Sequence, residues 1–207
     1  MLKNFVEFFF GFQRRLGHII RFNTRPKTID ETVAAHSYYV GLYSLILAEY
    51  LEKKGVKINK EQTMRRALLH DLEECVAGDV MTHVKDDEEI NRIYNKLAIF
   101  SVETTFEKLP EYIRKFLMSE WHEFNNESSI EDWLVEVADD LSGVIYCKEQ
   151  CNVGNKYFDI ILQNYMYRLK KLVKGSELED LYYAIEKNIN NTNETKLDMH
   201  YNEDIDK

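Results

Sequence analysis

Apolar side chains recur at three- and four-residue steps along most of the chain. Phe5, Phe8, Phe9, Phe12, Leu16, Ile19 and Ile20 form the first run, the spacing of one apolar stripe on a helix of about five turns. Core packing is the ordinary use of such a stripe; a membrane-surface helix is the alternative, and a polar face poor in Lys and Arg speaks against it. Residues 21–32 contain Pro26 and several turn or capping residues and read as a loop. A second helix is expected over 33–54, closed by Gly55, and a third from Asn59, whose side chain can cap it, through to Val76, ended by Gly78. After a short loop at 79–85, Ile90, Ile93, Leu97, Phe100 and Phe106 restore helical spacing over 86–107. Pro110 opens a helix to about Glu123. The polar stretch 125–129 breaks it, Ser129 caps a helix over 131–150, and two more follow at 155–173 and 177–189, separated by Gly175. No strand-like alternation and no internal repeat is present, so the expected fold class is all-α, with one helical domain over residues 1–189. From Asn190 onward five acids, two lysines and repeated Asn make an acidic tail that is expected to be disordered.

Composition narrows the class. The 207 residues are 44 % apolar, with only two prolines and eight glycines, which suits a single globular domain. A formal charge of −9 excludes a protein that coats nucleic-acid polymers, because that affinity rests on many Lys and Arg side chains neutralising phosphates. One small anionic substrate needs only a local positive cluster and stays open. Cys75, Cys147 and Cys151 are odd in number, and the i,i+4 pair Cys147/Cys151 has no second Cys or His pair to complete a zinc site. They are read as reduced thiols of a cytoplasmic protein. The aromatic N-terminus is interrupted by Glu7, followed by Arg14 and Arg15, and has no small-residue cleavage site, so it is a poor signal peptide. No run of 18 apolar residues occurs, and no membrane span is expected.

Three pieces on three expected helices carry candidate chemistry: His36, the adjacent pair His70-Asp71, and Asp139. Imidazoles and carboxylates are the ligand set of a hard-to-borderline divalent cation, and helices packed side by side can aim such groups into one pocket. Each piece alone is an ordinary core or surface residue. Their contexts are apolar, however: His36 shares a face with Tyr39, Val40, Tyr43 and Leu47, His70-Asp71 follows Ala67-Leu68-Leu69, and Asp139 sits between Val137-Ala138 and Leu141. Burying ionisable groups costs several kcal/mol, of order, unless something neutralises them. A cation would.

The order His36, then His70-Asp71, then Asp139, with steps of 34 from His36 to His70 and 68 from Asp71 to Asp139, resembles the H…HD…D signature of the all-helical HD-domain metal-dependent phosphohydrolases. The stretch from His70 to Lys85 is similar to the HD-x-x-E-x-x-x-G-D-x-x-T-x-x-K segment of the bacterial 5′-deoxynucleotidases, and Arg21-Phe22 stands where that branch has an Arg followed by an aromatic. The resemblance spans roughly residues 10–175. It implies an HD-domain helical bundle in which His36, His70, Asp71 and Asp139 bind one divalent metal ion, often manganese or cobalt, with magnesium, zinc, iron or nickel as other choices. It implies that Glu74 and Asp79 assist an activated water as catalytic groups and that Arg21 holds phosphate, with Phe22, Thr82 and Lys85 as further substrate contacts. It also implies a homodimer. Departures from the pattern are Ala35, where a carboxylate often precedes the first metal His, Phe22 in place of Trp, and Met81 and His83 in place of prolines.

Elementary chemistry agrees with these roles. Glu74 lies one helical turn after His70 and shares its face. Asp79, past the Gly78 break, can place a carboxylate over the pocket to orient water or relay a proton. Arg21 can clamp phosphate oxygens with its fork, and Lys85 can add a point charge. The expected activity is release of phosphate from deoxyribonucleoside 5′-monophosphates. The alternatives are another phosphohydrolase of the superfamily, acting on a cyclic nucleotide, a triphosphate or an alarmone, and a non-catalytic nucleotide-binding module. Much of the −9 charge then falls in the tail and in the pocket carboxylates.

Overall fold

Side-chain caps start four of the α-helices in the computed structural model, which describes residues 2–80, 87–126 and 129–191. The described residues form α1 (Leu2–Phe8), α2 (Val33–Lys53), α3 (Lys60–Leu69), α4 (Glu74–Ala77), α5 (Glu88–Phe106), α6 (Glu111–Asn126), α7 (Ile130–Asn152), α8 (Asp159–Val173) and α9 (Glu179–Asn191), with 3-10 turns at Phe12–Gly17 and Lys156–Phe158. Thr32 accepts the N–H of Ala35 to start α2, Asn59 that of Gln62 to start α3, and Asp87 those of Glu89 and Ile90 to start α5. Ser129 and Asp132 cap α7 reciprocally, satisfying two N–H groups that a helix start leaves open. The all-α expectation holds. Among the described residues the sole β pairing is an antiparallel bridge, Ile20 to Thr32, and no described helix is long and apolar enough to cross a membrane.

α7 lies at the centre, packed on α2, α3 and α8. Its buried Leu134, Val135, Ala138 and Val144 meet Val40, Leu47 and Leu51 of α2, Ala67 of α3, and Leu169 and Val173 of α8. At about 1.5–3 kcal/mol for each fully buried aliphatic side chain, this cluster holds α2 and α7 side by side, and two of the candidate ligands ride on those helices. A second cluster joins Tyr94, Ala98, Val102 and Phe106 of α5 to Trp121 of α6, Leu72 and Leu109, with Phe5, Phe8 and Leu16 packed against it.

Two expected helices are broken. The first run is not one helix of five turns: α1 stops at Phe8, residues 9–11 turn, and the chain resumes as a 3-10 turn from Phe12. Gly11, a residue of weak helical preference, marks the break in extended conformation, and Phe10 just before it is 83 % exposed. The third helix does not continue to Val76. α3 ends at Leu69, and residues 70–73 tighten into a turn in which Leu72 N–H donates to Leu69 O, Glu74 N–H to Asp71 O and Cys75 N–H to Leu72 O. Bonds of that span close three-residue turns, which rotate side chains further per residue than an α-helix does. Gly78 ends α4 at φ 76°, a left-handed setting that glycine adopts freely. At the C-terminus α9 runs to Asn191, two residues past the expected 189; the remainder of the acidic tail, like Thr82, His83 and Lys85, lies outside the described residues.

Candidate active site

The Ile20–Thr32 bridge builds the first wall. Arg21 N–H donates to Glu31 O at 2.9 Å and Val33 N–H to Ile19 O at 2.9 Å, so the loop closes on itself just ahead of α2. The buried Arg21 side chain is thereby laid along the first turn of that helix, with Nη1 2.7 Å from Glu31 Oε2 and 2.9 Å from His36 Nδ1. Burial works against its charge, but Tyr165, Asp139, Glu31 and Asp71 outweigh that and push its pKa above the ordinary value.

His36 faces inward from α2 and is fully buried. Across the α2–α7 contact its Nε2 lies 3.0 Å from Asp139 Oδ1, and across the α2–α3 contact 3.5 Å from Asp71 Oδ2 and 3.4 Å from His70 Nε2. His70 Nε2 in turn lies 3.1 Å from Asp71 Oδ2. Donor atoms of His36, His70 and Asp71 all fall within 4.8 Å of one another, and Asp139 joins the group through His36. All four expected ligands therefore converge. The turn at residues 70–73 lets the adjacent His70 and Asp71 both reach the cluster.

The charges of the cluster perturb each other. Burial pushes the His36 pKa down and Arg21 adds to this, against Asp139 and Asp71. For His70 burial is opposed by the neighbouring Asp71 carboxylate, which lifts it to about 9. Burial would raise Asp71 and Asp139, yet the imidazoles hold both below the usual carboxylate range.

Glu74 is buried beside this group, and one carboxyl oxygen, Oε2, makes no hydrogen bond among the described residues. Burial, followed by the charges of Asp71, Asp79 and Glu73, pushes it up to about 10. Asp79 is tied to the Arg21 loop: its Oδ2 accepts the Phe22 N–H at 2.6 Å, and its carbonyl accepts from Asn23 Nδ2 at 3.2 Å. Phe22 sits at φ 53°. Its ring stacks on Tyr146 with centroids 5.4 Å apart and meets Phe158 and Tyr165 edge-on, so it is part of an aromatic wall with one face already covered.

Several site residues escaped the sequence reading. Glu31 anchors Arg21. Ser142 lies 3.1 Å from His36 Nδ1; its position three residues after Asp139, on the same face of α7, was the available signal. Tyr165 reaches the Phe22 wall because α8 passes close over Gly143, where an added Cβ would lie 2.3 Å from the Tyr165 ring. No local pattern announces that approach.

The family model described as 5′-deoxynucleotidase YfbR-like matches residues 8–192 of this chain. A curated 5′-deoxynucleotidase of Photorhabdus laumondii is 28 % identical over 184 residues, covering 86 % of this chain and 89 % of the relative. The 5′-deoxynucleotidase YfbR of Shigella boydii is 29 % identical over 182 residues, covering 86 % and 88 %. Among solved structures, an HD-domain phosphohydrolase from Listeria innocua matches with a TM-score of 0.68 at 18 % identity, over 88 % of this chain and 99 % of that one, a likeness of fold that identifies the helical bundle as HD-type.

Proposed function

The chain belongs to the YfbR-like 5′-deoxynucleotidase family, and on that premise we propose that it is a metal-dependent phosphomonoesterase releasing phosphate from deoxyribonucleoside 5′-monophosphates. The observation that carries the reading is the meeting of His36, His70 and Asp71 within 4.8 Å, with Asp139 and the Arg21 guanidinium each in contact with His36. Two imidazole nitrogens facing each other at 3.4 Å among carboxylates are a donor set that fits a divalent cation. His36, His70, Asp71 and Asp139 would hold it; manganese or cobalt is the expected choice, and the mixed N/O donors also suit zinc, magnesium, iron or nickel. When bound, such an ion polarises a phosphoryl oxygen and lowers the pKa of water.

The chain's own groups do the remainder. Arg21, steadied by Glu31 at 2.7 Å, presents its fork to phosphate oxygens. Glu74, buried beside the cluster with Oε2 making no hydrogen bond among the described residues, is placed to assist the activated water or pass a proton to the departing 5′ oxygen. Asp79 keeps one oxygen on the Phe22 N–H and has the other to orient the attacking water. Thr82 and Lys85 remain substrate contacts on this reading.

The test is to incubate the protein with dAMP, AMP and manganese and to assay free phosphate. Release from dAMP, lost together with manganese binding in Asp71→Ala, is expected; no release from any nucleoside monophosphate would sink the proposal. A homodimer also belongs to this reading, supported by the exposed Tyr38, Leu42, Leu45 and Ile46 down one side of α2; a monomeric mass by light scattering would overturn it. The three free thiols support a reducing, cytoplasmic setting.

A further inference from the structure

The two imidazoles of the site are held differently at the nitrogens that point away from the cluster. His70 Nδ1 lies 2.8 Å from the carbonyl oxygen of Ala67. A carbonyl only accepts, so Nδ1 carries a proton and Nε2, once deprotonated, is the nitrogen that can turn to a cation. His36 Nδ1 instead lies between two groups, Arg21 Nη1 at 2.9 Å and Ser142 Oγ at 3.1 Å. A guanidinium has five donors and no acceptor. Contact with Arg21 therefore requires Nδ1 to accept, which puts the proton on Nε2, where it is donated to Asp139 at 3.0 Å. In that tautomer the His36 lone pair lies on Nδ1, engaged by Arg21, and Nε2 has none to offer an ion.

We infer that Ser142 is the positioning residue that sets His36 for metal binding, and that an ion on His36 Nε2 and the Arg21 guanidinium on His36 Nδ1 exclude each other. This rests on the cation site proposed above. Ligation through Nε2 needs the proton on Nδ1, and an Nδ1–H meets an N–H of Arg21 head-on. Ser142 Oγ is the neighbour that can accept it, and it makes no other hydrogen bond among the described residues. The exchange is neutral overall: the ring loses one proton at Nε2 to solvent and gains one at Nδ1 from solvent. The same exchange releases Arg21 Nη1 from the ring while Glu31 still holds it at 2.7 Å. Occupation of the cation site thus makes the phosphate-binding guanidinium available, and the ion is bound ahead of the phosphate.

Calorimetric titration of the full chain with Mn²⁺, together with histidine nitrogen NMR of the Zn²⁺-loaded and metal-free protein, tests this. Ser142→Ala is expected to weaken Mn²⁺ binding about 10–100-fold, the usual effect of losing the partner of a ligating imidazole, and Ser142→Thr to restore it. In the wild type the His36 proton should move from Nε2 to Nδ1 on Zn²⁺ binding, and inorganic phosphate should bind more tightly in the presence of the ion. Ser142→Ala binding Mn²⁺ as tightly as wild type, or His36 keeping its Nε2 proton in the Zn²⁺ form, overturns the inference while leaving the cation site standing. A wild-type protein that takes up neither ion removes both. Should Ser142→Ala fail to fold, the NMR measurement on the wild type decides alone.

Discussion

Asp79 Oδ2 accepts the backbone N–H of Phe22 at 2.6 Å, across 57 positions of sequence. The bond joins the turn after Gly78 to the loop that carries Arg21. Phe22 is the single described non-glycine residue at positive φ, a setting that costs of order 1–3 kcal/mol and persists only where the surroundings over-determine it. The carboxylate on its N–H and the stack on Tyr146 do so.

On the proposed function Asp79 has a second job besides this bond, and substitution can separate the two. Asp79→Asn keeps an acceptor for the Phe22 N–H and should lower kcat with KM for dAMP near wild type. Asp79→Ala should raise KM as well, and its kcat/KM should fall about 10²–10⁴-fold. Equal KM values for the two variants in steady-state assays would show that the bond does not hold the Arg21 loop.

Gly143 is a lever on the aromatic wall. A methyl group there would meet Tyr165 at 2.3 Å, and overpacking of this kind costs about 1–3 kcal/mol. Gly143→Ala should lower the thermal midpoint and, by displacing Tyr165 from Phe22, raise KM. Gly143→Ala combined with Tyr165→Leu should recover most of the stability but not the KM. Thermal melts and steady-state kinetics on the three proteins check this.

Arg66 is a buried cation between α3, α6 and α7, paired with Asp132, with Glu123 at 3.1 Å and with Ser129 Oγ at 2.7 Å. Arg66→Met leaves Asp132 buried without its counter-charge and should cost about 3–5 kcal/mol. Arg66→Met with Asp132→Leu should cost less than the single change, measured by urea unfolding. A double variant as unstable as the sum of the two singles would mean that the pair acts independently.

The pKa shifts of His70, Glu74 and His36 give the sign of a pH effect. Folding raises His70 from an ordinary 6.5 to about 9, so its contribution is fully present below pH 6.5 and is lost as pH climbs through 9. Folding also raises Glu74 from 4.5 to about 10, so stability falls across that interval, where the folded chain holds a proton that the unfolded chain has lost. His36, lowered on folding, is neutral in both states above 6.5. Metal-free protein should therefore melt at falling temperatures from pH 6.5 to 9, whereas the increment from added Mn²⁺ should grow, because ligation requires deprotonated donors. Melts in chelator and in Mn²⁺ at three pH values check both trends.

What the sequence determined by itself was most of the helices and the four residues, His36, His70, Asp71 and Asp139, that come together in one cluster. Helix starts were legible at Asn59 and Ser129 because a cap is a local bond between residues three apart. His36, His70, Asp71 and Asp139 were legible because ionisable groups on apolar helical faces demand a compensating partner. The break after Leu69 was not, since Leu69, Leu72, Cys75 and Val76 keep an apolar rhythm that an α-helix and a three-residue turn satisfy alike, and packing of Leu72 into the cluster around Trp121 accompanies the turn. Nor were the roles of Glu31, Ser142 and Tyr165. Ser142 meets His36 across 106 positions of sequence, and Tyr165 meets Phe22 only because Gly143 lets α8 pass close by. A pattern along the chain records which side of a helix is buried; which nitrogen of a buried imidazole faces a donor or an acceptor depends on what another helix brings to it, and only the tertiary structure decided that.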